Sequence, residues 1–253
     1  MQGAELTLDK ILSSKVYIGE RSMVNFGSPR QYIEPFLEKL EKSGLNPTYT
    51  VNVSDRIANK EAESEVLNEA FGRVLVQAVL PAEFTMHNHS SVIGMVYALD
   101  TVKPSMRIYS GESAWACTNL SIFGAKYIHE VPIMSGISSI YEKSLEYVEG
   151  LAEQLSRFKT IYEDMTTRQY ENEEIDRILG HILREANKNK SIGTTPVLSA
   201  VRDLDDPKSK YGIQDHKTTS WNILSALTQY CTDKVDIYER ANKTVLLTNL
   251  FVN

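Results

Sequence analysis

The hydrophobic period of this chain shortens at Phe71 and lengthens again from Gly136, and those changes set its fold class. Between Phe71 and Ile133 the apolar residues come in short runs. "RVLVQAVL" is stopped by Pro81, "SVIGMVYAL" covers 91–99, "SMRIYSG" (105–111) alternates apolar and polar, and "AKYIHEVPI" covers 125–133. Runs of this length and spacing predict a mostly antiparallel sheet over about 71–133. From Gly136 the period lengthens. Ile137, Tyr141, Leu145, Val148, Leu151, Leu155, Phe158, Tyr162 and Met165 recur every three or four residues, which predicts one amphipathic helix of roughly 28 residues. Gly150 inside it costs about 1 kcal/mol relative to alanine and offers a point of close packing or a bend. Strands followed by a run of helices make an α+β protein, a mostly antiparallel sheet packed with a predominantly helical C-terminal part. The 253 residues read as a single domain, 1–253, with a mixed N-terminal region (1–70), a sheet region (71–133) and a helical region (134–253).

Local signals place the other helices. Ser28-Pro29 opens one that Gly44 closes, with Pro47 just beyond. Residues 57–70 are charged and read as helical or loose. Another helix starts after Asn172, with Glu173 and Glu174 in the first turn where the dipole favours them. Its apolar face is Ile175, Ile178, Leu179, Ile182 and Leu183, and Arg184, Lys188 and Lys190 mark its basic end. A third begins at Thr195-Pro196. "RDLDDPKSKYGIQDHK" (202–217) reads as a long polar loop. A fourth starts at Thr218–Ser220 and buries Trp221, Leu224, Leu227 or Thr228, and Cys231. The long helix is also a candidate for self-association.

The net charge is −6, and residues 1–136 and 137–253 carry −3 each, so there is no basic tail. This argues against coating duplex DNA by bulk positive charge, while leaving room for a local basic groove. Cys117 and Cys231 read as reduced thiols used as small apolar residues, which fits a cytoplasmic protein. No apolar run approaches the roughly 20 residues that cross a bilayer, and "MQGAELTLDK" lacks a secretion signal. No membrane partner is expected.

Catalytic motifs are weak. His87 and His89, two apart on an extended chain, project to one side and could share a metal ion, but a site needs a third or fourth ligand. His129, His181, His216 and Glu130 lack diagnostic spacing. The tripeptide His87-Asn88-His89 shares its letters with a nuclease motif whose ββα-metal setting is missing here, so a polar loop between strands is the simpler reading. There is no Gly-x-Ser-x-Gly elbow, no phosphate cradle, and no sequence partner for Cys117. Asp203, Asp205 and Asp206 fit no calcium loop. The chain therefore reads as non-enzymatic, with neither cofactor nor metal. The enzyme alternative is a metal-dependent hydrolase or nuclease using His87, His89 and Asp203.

What remains is basic and aromatic. Lys103, Arg107 and Lys126 interleave with Tyr109, Trp115, Phe123 and Tyr127, and only Glu112 opposes them. A second cluster is Lys208, Lys210, Tyr211 and Lys217. Single-stranded nucleic acid is held by cations along its backbone and by aromatic faces stacked on bases. The bland alternative is that aromatic residues on strands are core. Strand register decides between the two, because a slip of one residue turns every side chain to the other face.

"TSWNILSALTQY" (Thr219–Tyr230) resembles the Thr-x-Trp…Asn-Ala-x-Thr-x-Tyr signature of a phage- and plasmid-encoded family of unknown function, domain of unknown function number 932. "AWACTNLSIFG" resembles that family's Cys-x-Asn segment, and "RVLVQAVLP" its strand ending in Pro. The resemblance covers roughly residues 71–240. It departs from the pattern at Asn222, which follows Trp221 directly, and at Ser225, which precedes Ala226. Length, acidity and layout are also similar to the single-stranded-DNA-binding RNA polymerase cofactors of podophages that carry a giant virion RNA polymerase. These resemblances imply a homo-oligomeric phage protein of the host cytoplasm. It would bind single-stranded DNA cooperatively and without sequence preference, and would act with a phage RNA polymerase in transcription, or in replication. In that role Lys103, Arg107 and Lys126 would meet phosphates, Tyr109, Trp115 and Tyr127 would stack on bases, and Lys208, Lys210, Tyr211 and Lys217 would line the other wall. A strand-annealing recombination protein and a phage protein that binds a host factor are the other readings.

Overall fold

The computed structural model describes residues 4–14, 28–53, 72–86, 89–99, 105–114, 120–122, 127–133 and 137–252. The helical-or-loose reading of residues 57–70 lies outside them. Eight strands among the described residues form one sheet: β1 (Ala4–Leu6), β2 (Thr48–Val53), β3 (Arg73–Val79), β4 (Thr85–Met86), β5 (His89–Ala98), β6 (Ser105–Ala114), β7 (Leu120–Ser121) and β8 (Ile128–Pro132). The order is β1-β2-β3-β5-β6-β7, with β4 also on β5 and β8 also on β6. Every pairing is antiparallel. A short 3₁₀ turn at Ala82–Phe84, after Pro81, separates β3 from β4. The α+β class expected from the change of period is the class observed, but the sheet starts well before Phe71. β1 and β2 belong to it, and six alternating residues after Pro47 are too brief a signal to separate from a loop.

Register assigns the two faces. Val74, Val76 and Ala78 of β3 pair with Tyr97, Met95 and Ile93 of β5, and these pair with Met106, Ile108 and Ser110 of β6. Paired residues share a side. This first face meets α2 (Pro29–Lys42) and α3 (Ile137–Glu149). Tyr32 of α2 lies 5.5 Å from Tyr97, and the Tyr141 hydroxyl of α3 donates to the Tyr32 carbonyl at 3.0 Å. The opposite face carries Arg73, Gln77, Gly94, Arg107 and Tyr109 and is covered by α8 (Ile237–Val252). With both faces covered, every residue of β5 is buried, which is why its sequence is a nearly continuous apolar run.

Tyr109 pairs directly with Gly94, and its ring lies against that glycine. A Cβ at 94 would fall 2.5 Å from one ring carbon, so only glycine leaves room. Tyr109 reaches over it to a hydrogen bond with Gln77 on β3. Three strands are thereby tied by one side chain.

The expected 28-residue helix is two helices, α3 and α4 (Leu151–Thr167). Gly150, at φ −82° and ψ −1°, lies between them as a turn at the edge of the right-handed helical region, with helical hydrogen bonds running from its N–H to Glu146 and from Gln154 to its carbonyl. The helical region continues with α5 (Asn172–Lys188), α6 (Thr195–Asp205), α7 (Ser220–Lys234) and α8, after a short N-terminal α1 (Leu8–Leu12). β9 (Gln169–Glu171) and β10 (Lys217–Thr219) form a separate two-stranded ribbon. The 202–217 segment is shorter as a loop than expected, because α6 runs through Asp205 and β10 begins at Lys217.

α8 was not anticipated. It is apolar on two sides: Ile237, Tyr238, Ala241 and Val245 join the sheet core, and Leu247, with Leu246 and Leu250, joins a second core built from α5, α6 and α7. A helix wedged between two cores carries apolar residues on two sides and loses the single apolar stripe that identifies most helices.

Candidate nucleic-acid interface

Of the residues expected to form a groove on the sheet, the described ones, Arg107, Tyr109 and Tyr127, face inward. Arg107 is 6% exposed. Its Nε donates to Glu130 at 2.8 Å, one terminal nitrogen donates to the Tyr238 carbonyl at 2.6 Å and lies 3.3 Å from Glu239, and the guanidinium sits 3.8 Å over the Tyr238 ring. Ser105 and the Tyr238 hydroxyl also donate to Glu130. Burial works against charge on both partners. On Arg107 the Glu130 hydrogen bond and the nearby negative charge outweigh burial and raise its pKa, and on Glu130 the Arg107 and Ser105 bonds outweigh burial and lower its pKa. Arg107 is therefore the hub of a sheet-to-α8 ion network and is unavailable to phosphate.

Tyr109, Tyr127 and Tyr211 are buried as well. Burial pushes the Tyr109 hydroxyl well above its ordinary pKa. For Arg107 and Tyr109 the cause is register, which turns them to the face that α8 covers, while Tyr127 packs into the sheet core and Tyr211 into the core of α5, α6 and α7. Lys103, Trp115, Phe123 and Lys126, together with His87 and Cys117, lie outside the described residues. Lys208, Lys210 and Lys217 are exposed, with Lys210 held over the Tyr211 ring at 4.8 Å and donating to Gln229. Cys231 is buried, and burial pushes its thiol up to about 12, so it serves as an apolar residue. Among the described residues no three His, Cys, Asp or Glu side chains converge as a metal site requires.

The fold instead assembles an aromatic site at the end of the sheet near β4. His89 opens β5, Phe158 and Tyr162 lie on α4 at helical spacing, and Trp221 sits in the first turn of α7. His89 is 5.3 Å from Phe158, 5.5 Å from Tyr162 and 5.2 Å from Trp221, ring centroid to centroid. Tyr162 and Trp221 are 4.8 Å apart at 69°. Edge-to-face pairs at these separations are favourable by about 0.5–1.5 kcal/mol beyond their buried area. His89 and Phe158 are buried, whereas Tyr162 and Trp221 are partly buried and keep some surface exposure.

Short-range chemistry fixes Trp221. The Thr219 side chain caps α7 by accepting from the Asn222 backbone at 3.2 Å, and the Asn222 side chain donates to the Tyr211 carbonyl and to the Thr218 hydroxyl, both at 2.8 Å. Thr219 and Asn222 thus clamp the 206–217 segment and β10 against the start of α7. Thr219 pairs with Gln169, so Arg168 and Trp221 emerge at the same end of the β9–β10 ribbon. Arg168 stacks on Tyr170 at 4.7 Å and pairs with Glu174 at 3.3 Å. Lys159, one turn before Tyr162, lies 3.9 Å from Glu163. Such exposed pairs are worth about 0–1 kcal/mol and leave the cations free to exchange partners. Tyr162, Arg168 and Tyr170 were missed as site residues. The only signal in sequence was Trp221 beside a helix cap, which reads equally well as core.

On the same sheet face as His89, two residues further along β5, Ser91 donates to buried Glu112 at 2.8 Å. The other Glu112 oxygen has no hydrogen-bond partner among the described residues. Burial raises its pKa to about 8, against a smaller lowering by Ser91.

Neither known protein-family models, curated proteins nor solved structures match this chain. Among the described residues no helix is long and apolar enough to cross a membrane.

Proposed function

We propose that this protein binds single-stranded nucleic acid without sequence preference, at the face where Trp221 and Tyr162 meet the β9–β10 ribbon. The observation that carries this reading is the partly exposed Trp221–Tyr162 pair, with Lys159 one turn before Tyr162 on α4, Arg168 just before β9 and exposed Lys217 at the start of β10. Bases of a single strand can stack on aromatic faces, at about 1–3 kcal/mol each, while those of a duplex are already stacked on one another. Three cations neutralising three phosphates give a slope of log affinity against log salt of roughly −2. Lys208 and Lys210 continue the cationic edge along the segment clamped by Asn222. The phage resemblance supplies the proposed setting: unwound DNA in the host cytoplasm, cooperative coating by a self-associating protein, and recruitment of an RNA polymerase.

The test is competition between a single strand and its duplex, with Lys217→Ala and Arg168→Ala as probes. Each variant is expected to flatten the salt slope by about 0.7. Unchanged slopes in both would remove the ribbon from the interface.

A further inference from the structure

Glu112 of β6 is a carboxyl buried without enough partners. It is 4% exposed, Ser91 donates to one of its oxygens at 2.8 Å, and the other oxygen has no hydrogen-bond partner among the described residues. Buried polar atoms are nearly always paired, so an exception points to a role.

The register places this carboxyl beneath α4. On the same sheet face Ser110, two residues earlier on β6, donates to the Gln154 side chain of α4. His89, two residues before Ser91 on β5, meets Phe158 of α4 at 5.3 Å. Gln154 and Phe158 are one turn apart. Glu112 and Ser91 sit directly opposite each other between these two contacts, under the turn of α4 that joins them. The titratable and charged groups around Glu112 are His89, diagonally across the strand pair, Arg157, half-buried three residues on from Gln154, and Tyr147, buried on α3. β7, paired with β6 at Ser121, brings no ionisable residue, and neither do Trp221 and Leu224 of α7, which pack with Phe158. No cation among the described residues is ion-paired with Glu112. Burial, opposed only by Ser91, sets its pKa.

α4 also carries half of the proposed strand-binding pair. Tyr162 lies one turn beyond Phe158 and 4.8 Å from Trp221 of α7. At its start α4 joins α3 through the turn at Gly150, and at its end it leads through Arg168 into the β9–β10 ribbon. Movement of α4 away from the sheet about the Gly150 turn would separate Tyr162 from Trp221.

We infer that Glu112 is a proton latch for α4: the neutral carboxyl lets α4 lie on the sheet and complete the Tyr162–Trp221 face, and loss of the proton releases α4 and weakens strand binding. The latch rests on the strand-binding reading. A carboxylate under α4 would have one hydrogen bond and no cation, and it gains water only when α4 lifts. With α4 lifted the carboxyl takes its ordinary pKa of 4.5, against about 8 when covered. Opening therefore releases a proton between those two values, and its equilibrium constant rises about tenfold per pH unit from about 4.5 to about 8 and then levels off.

The test uses the full chain and Glu112→Gln, which keeps the shape and cannot ionise. Hydrogen exchange, corrected for the intrinsic rate at each pH, should show opening of the α4 amides rising about tenfold per pH unit between about pH 5 and about pH 8 in wild type, with no such rise in Glu112→Gln. The amides of α5 and α6 should stay more protected than those of α4 throughout. Ser91→Ala removes the bond that holds the Glu112 pKa down, so in that variant the rise should continue to a higher pH. By fluorescence anisotropy, wild type should lose at least roughly threefold more affinity for a labelled single strand than Glu112→Gln does between about pH 6.5 and about pH 8.5. The same pH dependence in wild type and Glu112→Gln, at α4 or in strand binding, would overturn the latch. So would α4, α5 and α6 amides opening together, because the carboxyl would then sense only global unfolding. A wild type that binds no strand at any pH would instead refute the strand-binding reading, and exchange at α4 would still decide whether Glu112 holds that helix.

Discussion

The imidazole of His89 and the indole of Trp221 lie 5.2 Å apart at 79°, edge to face, although one opens a sheet strand and the other a helix far along the chain. This contact joins the two most noticeable sequence features, the His87-Asn88-His89 tripeptide and the Thr-x-Trp motif, in one aromatic cluster. It gives His89 a packing role. Replacing His89 with Leu should keep most of the packing, because both side chains are apolar in bulk and similar in reach. The expected cost is below about 1.5 kcal/mol, with single-strand affinity kept within a few-fold. A larger loss of affinity at unchanged stability would show that the imidazole itself contacts the ligand.

Arg107→Ala tests the buried network. Removing the guanidinium leaves Glu130 without its strongest partner and leaves Tyr238 without the cation over its ring. Breaking a fully buried pair costs about 3–5 kcal/mol, and because Glu130 is 41% exposed the expected loss is smaller, about 2–3 kcal/mol. Denaturant melts should show it. The salt slope of strand binding should not change, since Arg107 does not reach the surface.

Glu112 makes stability depend on pH in an unusual direction. Its folded pKa, about 8, lies above the ordinary carboxylate value of 4.5. Between those two values the folded chain holds a proton that the unfolded chain has lost, so this group's contribution falls as pH rises from about 4.5 to about 8 and then levels off. Each unit of the shift corresponds to about 1.4 kcal/mol. Melts of Glu112→Gln should lack this component and gain on wild type as pH rises. Parallel pH profiles for the two proteins would show that Glu112 is ionised in the folded state.

Gly94→Ala should destabilise by about 1–3 kcal/mol, because the new methyl meets the Tyr109 ring in a packed sheet. In Tyr109→Leu the same substitution should cost less, and the double-mutant cycle measures the difference. Equal costs in both backgrounds would mean that the ring does not rest on Gly94.

The sheet region and most helices were legible because their patterns are local. Strands β3, β5, β6 and β8 lie within the four apolar runs or extend them by a few residues, and α2, α5 and α6 begin where Ser28-Pro29, Asn172 and Thr195-Pro196 place them. α8 was not legible, because two cores claim opposite sides of it and erase its stripe. The site was legible only in its chemistry. Cation and aromatic are present, but Arg107 and Tyr109 face α8, and which face a helix covers depends on contacts with residues more than a hundred positions away, as in Arg107–Tyr238. Trp221 had the right residue type, and only the packing of α4 against α7 shows that part of it remains at the surface.

The most direct measurement is fluorescence anisotropy on a labelled single strand of about 30 nucleotides and on its duplex, at low and moderate salt, with wild type and Trp221→Leu. The expected result is tight, salt-sensitive binding of wild type to the single strand alone, weakened roughly 5- to 150-fold in Trp221→Leu by the loss of about 1–3 kcal/mol of stacking. Absence of strand binding by wild type, or equal binding by a folded Trp221→Leu, would contradict an interface at Trp221 and Tyr162.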